Sequence, residues 1–287
     1  MTVRNSLNAM GLANRLSINS NQTGKTSRNI ASGSRINRAA NDAAGLAIAM
    51  KMQSQIGGTG QAVRNVADGM SLIQTAEGAL GGTQAMLGRI EMLSVQAANG
   101  TLTDTQRGFI QMEIDQIKSE INRVSSATNF NGINLLDGSV SGENGGLTLQ
   151  IGADDAAEQR FDVNIEAMNT RALGLSGLDV RTAGSALNAI GDANRAIGLV
   201  SEQRASLGAM QNRLEHTVNG LTNASENLTA AKSRIGDADM AAEMIALTTN
   251  NILQQASIAM LAHKIKEPQG VLKLLGQNTA PSINFKA

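Results

Sequence analysis

A chain of 287 residues with no Cys, no Trp, no Tyr, four Phe and a formal net charge of zero rules out several kinds of protein. Without cysteine there is no disulfide framework, thiolate metal site or cysteine nucleophile, and zero net charge argues against a strongly electrostatic ligand. A thick globular core usually recruits large aromatic rings, so burial falls to Leu, Ile, Val, Met and Ala, which suit thin helix–helix seams.

The two prolines are Pro268 and Pro281, so nothing earlier in the chain forbids long helices. Residues 3–30 space Val3, Leu7, Met10, Leu12, Leu16 and Ile18 at helical intervals until Ser32-Gly33-Ser34 interrupts them. Asn41 and Asp42 offer N-caps for a second helix from about Ala43. Its seam steps by threes and fours through Val63, Val66, Met70, Ile73, Ala76, Leu80, Thr83, Leu87 and Ile90 and stops at Asn99-Gly100. Thr103 with Gln106 is a capping box for a third helix carrying Ile110, Ile114, Ile117, Ile121 and Val124.

The period then changes. Asn131-Gly132, Asp137-Gly138 and Asn144-Gly145-Gly146 mark turns. Leu147, Leu149 and Ile151 alternate with polar residues, as do Phe161, Val163 and Ile165, which predicts a hairpin over about 147–165 with a polar loop at 152–160. Helical spacing returns in Leu187, Ile190, Ala193, Ile197, Val200, Leu207, Met210, Leu214, Thr217, Leu221, Leu228 and Ile235, and Gly236 ends it. Asp237 or Asp239 caps a last helix over about 240–266. It is apolar around a wide arc: Met244, Ile245, Leu247, Ile252, Leu253, Ile258, Met260, Leu261 and Ile265.

The pattern predicts a mainly α fold, a long antiparallel coiled-coil rod with a small β-hairpin insert. Helices of about 40 residues would run about 60 Å. The terminal helices carry more apolar surface than one partner covers, which predicts self-association. Leu7 and Met10 at one end and Met244, Leu247, Ile252, Leu253, Met260 and Leu261 at the other are the expected self-assembly residues.

Catalytic and binding motifs do not assemble. Gly24-Lys25-Thr26 lacks the earlier glycine of a phosphate loop, since position 19 is Asn. Gly57-Gly58-Thr59-Gly60 falls between helical patterns and reads as a flexible joint or close-packing point. His216 and His263 have no nearby acid in metal-ligand spacing, and Asp154-Asp155 lies in the hairpin loop. The sequons at Asn21, Asn99, Asn223 and Asn227 are short enough to arise by chance. The expectation is no enzyme, no cofactor and no metal. Residues 1–41 hold six basic side chains and no acid, but no aromatic lies between them to stack a base, so no nucleic acid is expected. No apolar run has the length of a signal peptide or membrane span.

Several long segments in register resemble one family. They are SGSRINRAANDAAGLAIAMKM (32–52), DGMSLIQTAEGAL (68–80), LSVQAANGTLTDTQR (93–107), INRVSSATNFNGINLLDG (121–138), SLGAMQNRLEHTVNGLTNASENLTAAKSRIGDADMAAEM (206–244), NNILQQASIAMLA (250–262) and PQGVLKLL (268–275). Together they resemble bacterial flagellin over nearly the whole chain. The resemblance implies an inner filament-core domain at 1–42 and 243–287. A surrounding helical domain would comprise 43–180, with the hairpin, and 181–242. The middle is so short that the variable outer domains are missing.

The resemblance also implies type III export without a cleaved signal, an extracellular filament serving motility, and a helical homopolymer as the main partner. An export chaperone and the cap and hook–filament junction proteins would be further partners. In many flagellins an Arg–Leu pair and a Glu are read by vertebrate Toll-like receptor 5; the matching positions are Arg89, Leu93 and Glu113. Arg89 and Leu93, four apart, would share a helix face. Three departures stand out: Glu91-Met92 where the family more often has Arg-Glu, a charged run at 263–267, and the added tail QNTAPSINFKA. A hook–filament junction protein is the related alternative. A cytoplasmic chemoreceptor-type signalling coiled coil is the distant one, which the turns and strands at 131–165 argue against.

Overall fold

The computed structural model describes residues 2–142 and 146–276; the expected turn at Asn144-Gly145 and the tail at 277–287 lie outside them. Five α-helices and four short strands follow in the order α1 (Thr2–Ser32), α2 (Ala43–Ala98), α3 (Asp104–Ala127), β1 (Asn129–Phe130), β2 (Ile133–Asn134), β3 (Leu147–Gln150), β4 (Arg160–Val163), α4 (Ala183–Gly236) and α5 (Met240–Gly276). The fold is mainly α with a small β insert. It divides into two compact units, residues 1–53 with 229–287 and residues 54–228. The division falls inside α2 and α4 rather than in the loops beside them.

In the terminal unit, α1 and α5 pack antiparallel. The side-chain amide of Asn29, near the end of α1, donates to Glu243 Oε1 at 2.8 Å, near the start of α5. Gly33 closes α1 at φ +65°, a conformation that disfavours a side chain. Beside it, Ser34 pairs with Asp237 as an isolated antiparallel bridge. The Arg35 N–H donates to the Gly236 carbonyl at 2.8 Å, and the Arg35 guanidinium donates to the Ile235 carbonyl at 2.7 Å. These bonds satisfy carbonyls at the end of α4 that the helix cannot pair itself. Asp239 caps α5 through the amides of Ala241 and Ala242, and Asp42 caps α2 through Gly45 N at 2.8 Å. The last helix runs to Gly276, through Pro268 and past the boundary expected from the sequence.

In the central unit, α2 and α4 run antiparallel. Arg204 on α4 donates to Gln84 and Glu77 on α2, and Gln211, seven residues further along α4, donates to the same Glu77. The capping box starts α3 as expected, with Thr103 and Gln106 each accepting from the other's backbone N–H. The first strand pair turns tightly at Asn131 and Gly132, both at positive φ. Only its turn was legible in the sequence. The second pair is the predicted hairpin, in the register Leu147↔Val163 and Leu149↔Phe161. It packs on α2: Asn65 donates to the Gln150 carbonyl at 3.0 Å, and a Cβ at Gly58 or Gly69 would strike Ala153 or Leu149. The glycine run at 57–60 is continuous helix, a close-packing point rather than a joint.

The α2 seam is buried as predicted from Val66 to Ile90, with Val63 and Met70 at its margin. The α4 stripe differs. Its inward face is Ala186, Ala189, Ala193, Ala196, Val200, Gln203, Leu207 and Leu214, while Leu187 is exposed. Alanine lets helix backbones approach closely, so the small residues take the centre and larger ones move aside.

Candidate functional site

Nothing among the described residues gathers three or more His, Cys, Asp or Glu side chains as a metal site would. No described helix is long and apolar enough to cross a membrane. What the fold displays instead is apolar surface.

The terminal unit holds one buried apolar side chain among the described residues, Ile36; its other buried side chains are polar, Thr26 and Asn29. Among their described side chains, the two long helices therefore fully bury no apolar residue between them. Met10 stays 70% exposed, and Leu7, Met244, Ile252, Leu253 and Met260 are also exposed. Leu247 and Leu261 are half-buried. The side chains of Val3 and Ile265 lie outside the described residues. Met50 and Met240 are exposed as well and were not among the residues expected from the sequence.

In the central unit, Arg89 on α2 meets Glu113 on α3. Its Nη2 and Nε lie 2.6 and 2.8 Å from the same carboxylate oxygen, and both side chains are about half exposed. Leu93 does not join them at the surface. It is 2% exposed, packed in the core with Ile90, Ala97 and Ile110. Leu93 lies four residues from Arg89, and of the two only Arg89 is accessible in the single chain. Arg89 escapes because its long stem carries the charged head past the covered margin. The same stretch of α2 and α3 exposes the apolar side chains Met92, Val95, Phe109 and Met112, which sequence reasoning missed. Phe109 and Met112, like Met92 and Val95, are three apart and off the seam, which was the available clue.

The chain matches the bacterial flagellin N-terminal helical region over residues 3–141 and the bacterial flagellin C-terminal helical region over residues 187–275. It is 45% identical to the flagellin of Bacillus subtilis (strain 168), the alignment covering 96% of this chain and 100% of that protein. The flagellar filament 33 kDa core protein of Treponema phagedenis is 42% identical, with the same shares covered. Among solved structures, a putative flagellar hook-associated protein from Vibrio parahaemolyticus is similar in fold, with a TM-score of 0.56 at 14% identity, over 69% of this chain and 100% of that one. Between the two matched regions lie only residues 142–186, which carry the β3–β4 hairpin and leave no room for large outer domains. The chain belongs to the bacterial flagellin family, as a short member without large outer domains and a structural subunit of the flagellar filament.

Proposed function

We propose that copies of this chain polymerise through the exposed apolar faces of α1 and α5 into a helical filament for swimming motility. The observation that carries this reading is the mismatch in the terminal unit: two helices of 31 and 37 residues with Ile36 as the one buried apolar side chain described. A lone helix pair that buries so little cannot offset the entropy of ordering its chain. Neighbouring copies supply the missing burial. On this reading residues 1–42 and 243–287 form the filament core, with 43–180 and 181–242 surrounding it. Leu7, Met10, Met244, Leu247, Ile252, Leu253, Met260 and Leu261 are the contact residues.

The same reading makes the chain a structural protein without catalysis, exported unfolded by the type III route and extracellular once assembled. An export chaperone, the filament cap and the hook–filament junction proteins are its transient partners. The exposed Arg89–Glu113 pair supports recognition by Toll-like receptor 5, with Leu93 acting from beneath by holding α2 on α3.

The test is seeded or salt-induced polymerisation of the purified chain, followed by electron microscopy and far-UV circular dichroism. Long uniform filaments with a gain in helicity are expected. Rings or short oligomers, where a control flagellin polymerises, would move the assignment to a junction protein. A fully helical soluble dimer would favour a signalling coiled coil.

A further inference from the structure

The chain carries thirteen Met but no Cys, Trp or Tyr, so methionine sulfur is its main readily oxidised group. The sulfurs are unevenly placed. Met168 is buried in the central unit and Met92 and Met112 are exposed there, whereas Met10, Met240, Met244 and Met260 are exposed on α1 and α5 and Met50 at the start of α2. The antiparallel register fixed by the Asn29–Glu243 hydrogen bond sets residue 10 level with about residue 262, so Met10 and Met260 lie within about one helical turn along the pair.

We propose that Met10 and Met260 at one end of the pair, and Met244 at the other, are oxidation-sensitive positions that control assembly: converting these thioethers to sulfoxides with a peroxide-class oxidant blocks polymerisation, and reduction restores it. The inference rests on the reading that these faces are covered by other copies. In the chemical step the O–O bond of the peroxide breaks and an S–O bond forms. Sulfur gives up two electrons, and the peroxide leaves as water. The product is a polar, chiral side chain in place of a flexible apolar one. Thioether side chains suit apolar contact surfaces because they are polarisable and adapt to irregular gaps. A sulfoxide oxygen pressed into such a contact loses its water and finds no donor. In the single chain Met10, Met244 and Met260 are 70%, 50% and 60% exposed, whereas a packed neighbour would cover them, so free subunits are the vulnerable form.

The experiment oxidises the purified chain with dilute hydrogen peroxide and maps sulfoxides by peptide mass spectrometry. Seeded elongation is then measured. Sulfoxide at the three positions should raise the concentration needed for elongation by about tenfold or more. Treatment with both epimer-specific methionine sulfoxide reductases and dithiothreitol should restore elongation. The combined variant Met10→Leu, Met244→Leu, Met260→Leu should keep elongating after the same peroxide dose. In preformed filaments the three sulfurs should oxidise about tenfold more slowly than in free chains, while Met168 stays unmodified in both.

Normal elongation by chains carrying all three sulfoxides would overturn the proposal, as would equal inhibition of the leucine variant. Failure of the reductases to restore elongation after removing the sulfoxides would overturn it too, and this arm does not depend on how the variant assembles. If untreated chain gives no filaments, the assembly reading fails, and this proposal with it.

Discussion

Arg107 is 6% exposed yet keeps its charge fully engaged. Its Nε donates to the Ala97 carbonyl at 2.8 Å, Nη2 to the Asn99 carbonyl at 3.0 Å and Nη1 to Asp104 at 2.8 Å. One side chain on α3 thus satisfies carbonyls left open where α2 ends. Arg107→Ala removes this donor from the buried Ala97 carbonyl, while the exposed Asn99 keeps the Leu102 N–H on its carbonyl, and the expected loss is about 1–3 kcal/mol in urea unfolding. Arg107→Lys should recover only part of it, because an ammonium cannot reach both carbonyls with a planar fork. A loss within error of zero for the alanine variant would mean water replaces the guanidinium. Asp137 shows a second dependence on charge. Its carboxylate accepts from the Ser139 N–H and the Asn134 amide, each at 2.9 Å, and these bonds, the one from Ser139 foremost, hold its pKa below the ordinary Asp value. A lowered folded pKa means the contribution is present above the unfolded value and is lost as pH falls through the folded one. The Ser139 amide resonance should therefore titrate with a midpoint below that of free Asp, and Asp137→Asn should abolish the transition. A midpoint at or above the free value contradicts the assignment.

At the scale of elements, the caps and breakers were legible because each acts over three or four residues. Asp42, the Thr103–Gln106 box, the Asn131-Gly132 turn and Gly236 all do in the structure what their spacing predicts. Glycines inside α2 were ambiguous, because the same residue can loosen a helix or admit a neighbour. A Cβ added at Gly57 would meet nothing within 4 Å, whereas one at Gly58 would lie 2.7 Å from Ala153 Cβ and 3.3 Å from its Cα. Gly57→Ala should therefore stabilise the central unit by about 1 kcal/mol through helix propensity. Gly58→Ala should forfeit that gain, since backbone and Cβ must shift to admit it. Equal melting temperatures for the two variants would show that the hairpin loop yields freely. The α4 stripe was misread at its start for a related reason. Periodicity locates a face, but size decides which residues reach its centre, and here alanines took the place expected for Leu187.

For the whole molecule, the buried core and the exposed apolar side chains of α5 fall in different units. The central unit has a continuous core running from Val66 to Leu214, whereas α5 leaves Leu253 about half exposed. Leu253→Asp should abolish filament formation while the thermal unfolding of the central unit stays unchanged. A charge at an exposed site costs the single chain little, but it must be desolvated when a neighbouring copy covers it. Normal filaments from this variant would remove Leu253 from the contact surface. The Arg89–Glu113 pair and Leu93 differ in the same way. Arg89 and Glu113 can be changed at the surface with small effects on stability, because an exposed ion pair contributes about 1 kcal/mol or less. Leu93 cannot, because its side chain belongs to the core.

The sequence by itself determined the helices, their caps, the hairpin and the surplus of apolar residues at both ends. Each of these depends on local spacing, turn chemistry or composition, which a linear reading carries in full. Only the tertiary structure decided which side of each seam is covered. It turned Leu93 inward beneath α3, set alanines at the centre of α4, and left Met92, Val95, Phe109 and Met112 exposed beside the Arg89–Glu113 pair. Burial depends on the element that arrives from elsewhere in the chain, and helical periodicity does not identify that neighbour.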